Sequence, residues 1–380
     1  MKKAHSHVSI IVAVLMLVLV FSASAEENTS PLSLEQAVAI ALRDGTAMEK
    51  ATLELQEEEI SYREGRANLL LSPSILQELS LETSWRVAQR NFEMARADQA
   101  MEVEEAYYNV LRSERALQIS EENLERARKQ LDEMRTRLDL GMVAEIDVQS
   151  AELEEARAQS ERIRAESALE LARRSLNLLL GRRADMPLLL STELETGQPD
   201  ITIDESIDHA LVNRLEIKIA EDTVVLREKD VEVKSTDFTP PLEREKARVG
   251  LANARIDLTD LKERIEIEIR RNYQNLNEAK RQIPLQEGNL HVTRERLRID
   301  QARFDAGVIT SLDLMDSQNR AYEAETAFLQ AQFDYNVALA TFFKSLGMSL
   351  EERTRVFSSP PPPAEVEEID DAGEPLPEEE

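Results

Sequence analysis

The side chains able to do chemistry in this chain are mostly carboxylates. There are 74 Asp and Glu against 46 Lys and Arg, with four His and no Cys, for a net charge of −28. His5 and His7 sit in a leader-like N-terminus, and the other two, His209 and His291, are not spaced as metal ligands. No glycine-rich phosphate loop occurs. Acids on long helices pair with bases three or four residues away, so choosing two as a catalytic acid and base would be arbitrary. The chain reads as a non-enzyme without cofactor or metal. Its acidity and the lack of a basic stripe argue against nucleic acid as a partner.

The acids follow a pattern of another kind. Asp313, Asp316, Arg320, Glu323, Gln330 and Asp334 form a polar line at helical spacing, and Asp147, Ser150, Glu154, Arg157, Glu161 and Arg164 echo it. Spacing alone leaves open whether this line faces outer solvent or a water-filled lumen. Apolar lines flank it. One runs from Leu312 and Met315 through Tyr322, Leu329 and Phe333 to Phe343 with the 3-4 spacing of a coiled-coil seam. Leu314, Ala321, Phe328, Tyr335 and Phe342 recur every seventh residue. Two apolar lines on one helix require neighbours on two sides, which predicts a wall of helices.

The elements that carry these lines are written twice. RLDLGMVAEIDV (137–148) and RFDAGVITSLDL (303–314) share Arg, Asp, Gly and a second Asp at an offset of 166. Tyr107 and Asn109 recur as Tyr273 and Asn275, and Leu180-Gly181 as Leu346-Gly347. LSLEQAVAIAL (32–42) resembles ITIDESIDHAL (201–211). This is duplication of a large unit, giving a first helical repeat over 32–181 and a second over 201–347.

Each repeat reads as four helices. In the first they run from about Ser33 to Arg43, Thr46 to Leu70, Ser74 to Asp139, and from Gly141 to Leu180, with Ser72-Pro73 as a break. In the second they run from Asp204 to Val212, Leu215 to Lys234, Pro241 to Asp305, and from Gly307 to Leu346. Pro284 is expected to kink the third of these. A helix of roughly 65 residues is about 100 Å long at 1.5 Å per residue. It needs partners of equal reach, which the second and fourth helices supply when stacked end to end. The fold class is therefore all-α, with long antiparallel coiled-coil-like hairpins.

The two ends of the chain differ from this body. Lys2 and Lys3, an apolar run from Val8 to Phe21 and Ala23-Ser24-Ala25 read as a signal peptide over 1–25, with an uncleaved anchor as the alternative. The mature protein is expected to be exported, with no independent membrane span. The stretch 358–380, Pro-rich and acidic, is expected to be disordered.

The duplicated Gly turns, GMVAEIDVQSAELEEARAQ (141–159) and GVITSLDLMDSQNRAYEAE (307–325), resemble those of the TolC family of envelope efflux and export ducts. The LSLEQAVAIAL opening and the Leu-Gly closers match as well, so the resemblance covers nearly all of 32–350. It implies a homotrimer forming a hollow α-barrel. It also implies hairpin tips that dock a periplasmic adaptor served by an inner-membrane transporter. Those tips fall on Gly141, Met142, Val143 and Ala144 and on Gly307, Val308, Ile309 and Thr310, with the apolar flanks exposed.

Acids at the tunnel entrance fall on Asp313 and Asp316, with Asp147 at the matching place. Crowded in a ring, some of them would titrate high. A family Tyr and Arg of the closed tip fall on Phe304 and Ile309, which cannot make those bonds.

The family's membrane strands have no counterpart here. A strand pair with its turn needs about 22 residues, and the breaks at Pro73 and Pro240-Pro241 are far shorter. LSLETSW (79–85) alternates weakly but fits a helix start equally well. A TolC-like duct without the β-barrel is one reading, placed in the periplasm or peripherally on the outer membrane. A periplasmic helical scaffold without transport is the other.

Overall fold

A computed structural model describes residues 31–191, 201–348 and 352–353. The expected signal peptide and the acidic tail lie outside the described residues. Among the described residues eight helices run in order: α1 (Leu34–Asp44), α2 (Thr46–Leu71), α3 (Ile75–Asp139), α4 (Glu145–Leu179), α5 (Ile203–Asn213), α6 (Leu215–Lys234), α7 (Pro241–Asp305) and α8 (Ser311–Ser345). Both long helices have 65 residues, and α4 and α8 have 35 each.

Local chemistry sets the ends. Ser33 and Thr202 form capping boxes at the starts of α1 and α5: their hydroxyls accept from the N–H groups of Gln36 (3.3 Å) and Glu205 (3.3 Å). Pro241 opens α7 at a position whose N–H would have no helical partner. Gly141, Gly181, Gly307 and Gly347 follow the four long-rod helices α3, α4, α7 and α8, all with φ between 69° and 72°. At that φ a side chain crowds its own backbone, so glycine is the low-cost residue. The LSLETSW stretch lies inside α3, and α7 runs through Pro284 without interruption.

The packing is a single layer of rods. α3 lies along α2 and α4 on one side and along α6 and α8 on the other, and α8 also packs along α7. The order across the layer is α2 with α4, then α3, then α6 with α8, then α7. The two lines of apolar residues on α8 thus meet two neighbours, as the pattern required. Ion pairs cross between the halves: Arg90 of α3 bonds Asp222 of α6, and Arg126 of α3 lies 3.6 Å from Glu325 of α8.

A layer one helix thick has little interior, so its core is concentrated in patches. One patch joins α1, α3 and α4 through Ala41, Val103, Tyr107, Leu176 and Leu180. A second joins α5, α7 and α8 through Ala210, Ile269, Phe342 and Leu346. Leu176, Leu180, Phe342 and Leu346 are fully buried, each contributing about 1.5–3 kcal/mol of transfer free energy. A third patch sits at the Gly turns.

Only residues 72–74 separate α2 from α3, and only 235–240 separate α6 from α7. No strand interrupts the helices there, and sheet-like pairing among the described residues is limited to one bridge between Leu32 and Leu190. Among those residues no helix is long and apolar enough to cross a membrane.

Candidate functional site: the paired hairpin tips

The α3–α4 and α7–α8 turns are built alike. In the first, Gly141 N–H donates to Leu138 O (2.8 Å) and Met142 N–H to Arg137 O (2.8 Å). In the second, Gly307 N–H donates to Phe304 O (2.9 Å) and Val308 N–H to Arg303 O (2.8 Å). This pair of bonds satisfies the last carbonyls of each helix and requires the left-handed glycine between them. A Cβ at Gly141 or Gly307 would meet nothing within 4 Å, so backbone strain alone selects glycine at the tips.

The descending helices are capped by the predicted acids. Asp313 accepts from Thr310 N–H (3.0 Å) and Thr310 Oγ1 (2.7 Å), while Thr310 Oγ1 accepts from Asp313 N–H (3.2 Å). Asp147 makes half of that box, accepting from Ala144 N–H (2.9 Å); Ala144 has no side-chain oxygen to return the bond. The second oxygen of Asp147 accepts from Ser311 Oγ (2.8 Å), which ties one tip to the other. Asp316 pairs with Arg320 at 2.8 Å and is exposed. The hydroxyl and N–H of Thr310 hold the Asp313 carboxyl below its ordinary range, the opposite of the upward shift expected for a crowded ring. In a single chain the capping bonds are what Asp313 meets first.

The expected exposure of the apolar tip flanks holds for two of the four. Met142 and Val308 are 67% and 71% exposed. Val143 and Ile309 are half-buried, packed against Leu131, Met134, Val148, Phe304 and Leu314. Adjacent residues on a tight turn point to different sides, and one side of each tip faces the other tip. Gly141, Ala144, Gly307 and Thr310 are exposed. Leu140 and Ile146 are exposed beside them and were not singled out from the sequence. Leu312, expected to start the apolar seam of α8, is also exposed, the packed part of that seam beginning at Met315. Ile146 and Leu312 are 166 residues apart, so the duplication itself was the available signal.

Phe304 has a partner despite lacking a hydroxyl. It is buried, and the Arg137 guanidinium lies 4.3 Å from its ring centroid. Arg137 also pairs with Glu133 (2.6 Å) and lies 3.6 Å from Asp305. Behind the tip, Ser317 Oγ donates to the buried Asp300 (2.6 Å), and Arg294 donates to Glu325 (2.7 Å). Those two bonds lie within the α7–α8 hairpin; the polar links between the hairpins are Ser311 to Asp147, Arg137 to Asp305 and, farther back, Arg126 to Glu325. Among the described residues no cluster of His, Cys, Asp or Glu could hold a metal ion. His209 bonds the Leu346 carbonyl (3.2 Å) and His291 is exposed.

Helix pairs of this length, joined at glycine tips and written twice, define a family as well as a geometry. A sequence profile of the outer membrane efflux protein family matches residues 80–182 and 265–348, which hold most of α3 with α4 and the later part of α7 with α8. A comparison with curated proteins by sequence finds no match.

Three solved structures illustrate the likeness in fold. A membrane protein from Pseudomonas aeruginosa is 16% identical, with 84% of this chain and 91% of that one covered and a TM-score of 0.69. The CmeC outer membrane channel of Campylobacter jejuni is 13% identical, covering 83% and 85% at a TM-score of 0.65. The MtrE outer membrane channel of Neisseria gonorrhoeae, in its open state, is 18% identical, covering 83% and 88% at 0.67. The chain belongs to the TolC-like outer membrane efflux protein family. It is a form in which no membrane strands separate α2 from α3 or α6 from α7.

Proposed function

We propose that this chain is the passive duct of an efflux or type I export assembly. Three copies close a hollow α-barrel, and the six hairpin tips dock a periplasmic adaptor fed by an inner-membrane transporter. Family membership supports an efflux duct in the cell envelope. The observation that carries the finer reading is the state of the outer rods. Leu53, Leu153, Leu171 and Leu178 are exposed along α2 and α4, and Val249, Ile256, Leu285 and Val292 along α7. One chain leaves both edges of its layer apolar and in water, which single chains rarely do at this length. Joining the α7 edge of one copy to the α2–α4 edge of the next covers both, and repetition closes a ring.

Docking falls to the exposed tip residues Met142 and Val308, with Gly141, Val143, Ala144, Gly307, Ile309 and Thr310 shaping the turns. Asp147, Asp313 and Asp316 near the tips would then line the tunnel entrance and favour cations there. The energy for passage comes from the partner transporter. A periplasmic scaffold without transport is the second reading, favoured by the short turns where relatives in the family carry membrane strands.

Two measurements test this. Light scattering and electron-microscopy class averages of the exported chain are expected to show a closed ring of three. A monomer or an open dimer in the presence of its envelope partners would sink the duct. Met142→Asp with Val308→Asp is expected to keep helicity and trimerisation while abolishing adaptor capture from the native envelope. Val143 and Ile309 are unsuitable for that test because they pack inside the tips. Undiminished capture would remove the tips as the interface.

A further inference from the structure

The four most exposed large apolar side chains of the described residues lie at the end opposite the Gly tips. Phe238 is 99% exposed, Leu71 86%, Leu70 85% and Leu242 78%, with Ile75 beside them. Leu70, Leu71 and Ile75 flank the α2–α3 turn, and Phe238 and Leu242 the α6–α7 turn. Arg90 of α3 reaches Asp222 of α6, which brings these two hairpins side by side with their turns at one end.

We propose that these two turns are a lipid-docking face that seats the rod end shallowly in a bilayer surface. Three observations favour lipid over a protein partner. The four apolar residues are 78–99% exposed on two short helix–helix turns at one end of the rods. Residues 67–77 carry no charge at all in a chain in which 32% of residues are charged, so an ester and acyl environment strands no ion at that turn. The α6–α7 turn carries one exposed acid, Asp237 beside Phe238, which shallow seating leaves at the headgroup level.

Several polar groups of the turns are also paired internally, which lowers the cost of lipid contact. Ser72 N–H donates to Asn68 O (3.1 Å), and Ser74 Oγ accepts from Gln77 N–H (3.4 Å). Thr239 N–H donates to Thr236 O (3.1 Å), and the two threonine hydroxyls share a bond of 3.0 Å. Leucines and a phenylalanine on a short loop are suited to the interfacial region, where depth of insertion is small. Neither turn is long enough to cross. The face needs only an envelope location, not the trimer, though three copies would present six turns and multiply weak contacts.

The test uses the exported chain with protein-free vesicles of phosphatidylethanolamine and phosphatidylglycerol at about three to one. Wild type is expected to float with the vesicles. Leu70→Ser, Leu71→Ser, Phe238→Ser and Leu242→Ser together are expected to lower the partition coefficient about tenfold or more, with helicity and oligomeric state unchanged. Trp85, stacked on Tyr62 at 5.8 Å, is the only tryptophan. Phe238→Trp in a Trp85→Phe background is therefore expected to report a blue shift and quenching by brominated acyl chains. Equal binding by wild type and the quadruple variant, or an unshifted probe, overturns the proposal. Binding to native envelope vesicles but not to protein-free ones also overturns it, in favour of a protein receptor. Ring closure and adaptor capture are read separately, so failure here leaves the duct reading standing.

Discussion

The junction of α1 with α2 and that of α5 with α6 stand at corresponding places, yet they are held by different forces. In the first half the junction is Gly45, set against the carbonyls of Ala41 and Leu179 with no room for a Cβ. Gly181, just past α4, is pressed against the Asp44 carbonyl in the same way. Backbone crosses backbone. In the second half Arg214 takes the place of Gly45. Its guanidinium donates to Glu216 (2.6 Å), Glu268 (3.0 Å) and the Ser345 carbonyl (3.3 Å). The nearest atoms to a Cβ at Gly347 would be those of Arg214, at ordinary contact distances of 3.6–3.8 Å. The same glycine at the same φ is therefore required twice by backbone angle, but only once by space. Close approach and ion pairing are alternative ways to fasten the same joint.

The largest effect should come from the glycines that distinguish the joints. Gly181→Ala adds strain of about 1–2 kcal/mol for the left-handed angle and about 1–3 kcal/mol for displacing the Asp44 backbone. Gly347→Ala should show only the first. Urea unfolding of the two variants compares them directly, and equal losses would mean that the crossing is looser than the structure has it. Next is Arg214→Met, which leaves Glu216 and Glu268 without their cation. A loss of about 1.5–3 kcal/mol is expected, since these are charge-assisted bonds at a largely buried group.

A smaller contrast uses the duplicated tyrosines. Tyr107 donates its hydroxyl to Leu32 O (2.7 Å), whereas Tyr273 contributes its ring to Phe342 at 5.7 Å between centroids. Tyr107→Phe should cost about 1 kcal/mol and Tyr273→Phe little. Thermal melts would tell them apart, and equal shifts would count against the distinction.

The smallest effect is pH dependence. Burial pushes the Glu216 carboxyl up, but the bond from Arg214, its own backbone N–H and nearby cations outweigh that, leaving it below its ordinary value. A depressed acid contributes stability that is present above its unfolded value of 4.5 and lost as pH falls through the folded one. Burial of Glu104 pushes its carboxyl up, against the pull of Arg353 at 2.7 Å. Its contribution is complete below 4.5 and lost as pH rises. Glu216→Gln should therefore flatten the melting temperature between neutral pH and about pH 3.5, and Glu104→Gln should steepen the acid loss. Curves parallel to wild type would show that Arg214 does not hold Glu216 and that burial does not outweigh Arg353 at Glu104.

What could be read without coordinates was whatever depends on near neighbours in the chain. The helix starts near Ser33 and Asp204 were legible from residue types, and the capping boxes of Ser33 with Gln36 and Thr202 with Glu205 give their local cause. Gly141 and Gly307 announced ends, and α8 displayed its two seams by spacing alone. These signals act within one turn of helix, so the two 65-residue helices and the short Pro turns followed from residue types. The likeness of 137–148 to 303–314 carried the duplication.

Contacts between distant segments decided the rest. That Val143 and Ile309 turn inward while Met142 and Val308 stay in water depends on the opposite tip, which no local spacing contains. Asp147 accepts from Ser311, 164 positions away, and Arg137 covers Phe304 across the two hairpins. Gly45 against Arg214 differs in the same way, because room for a side chain is a property of what crosses nearby. Periodicity and capping are local and additive, and they determined the rods. Which side of each rod is filled, and by what, is settled only when the rods meet.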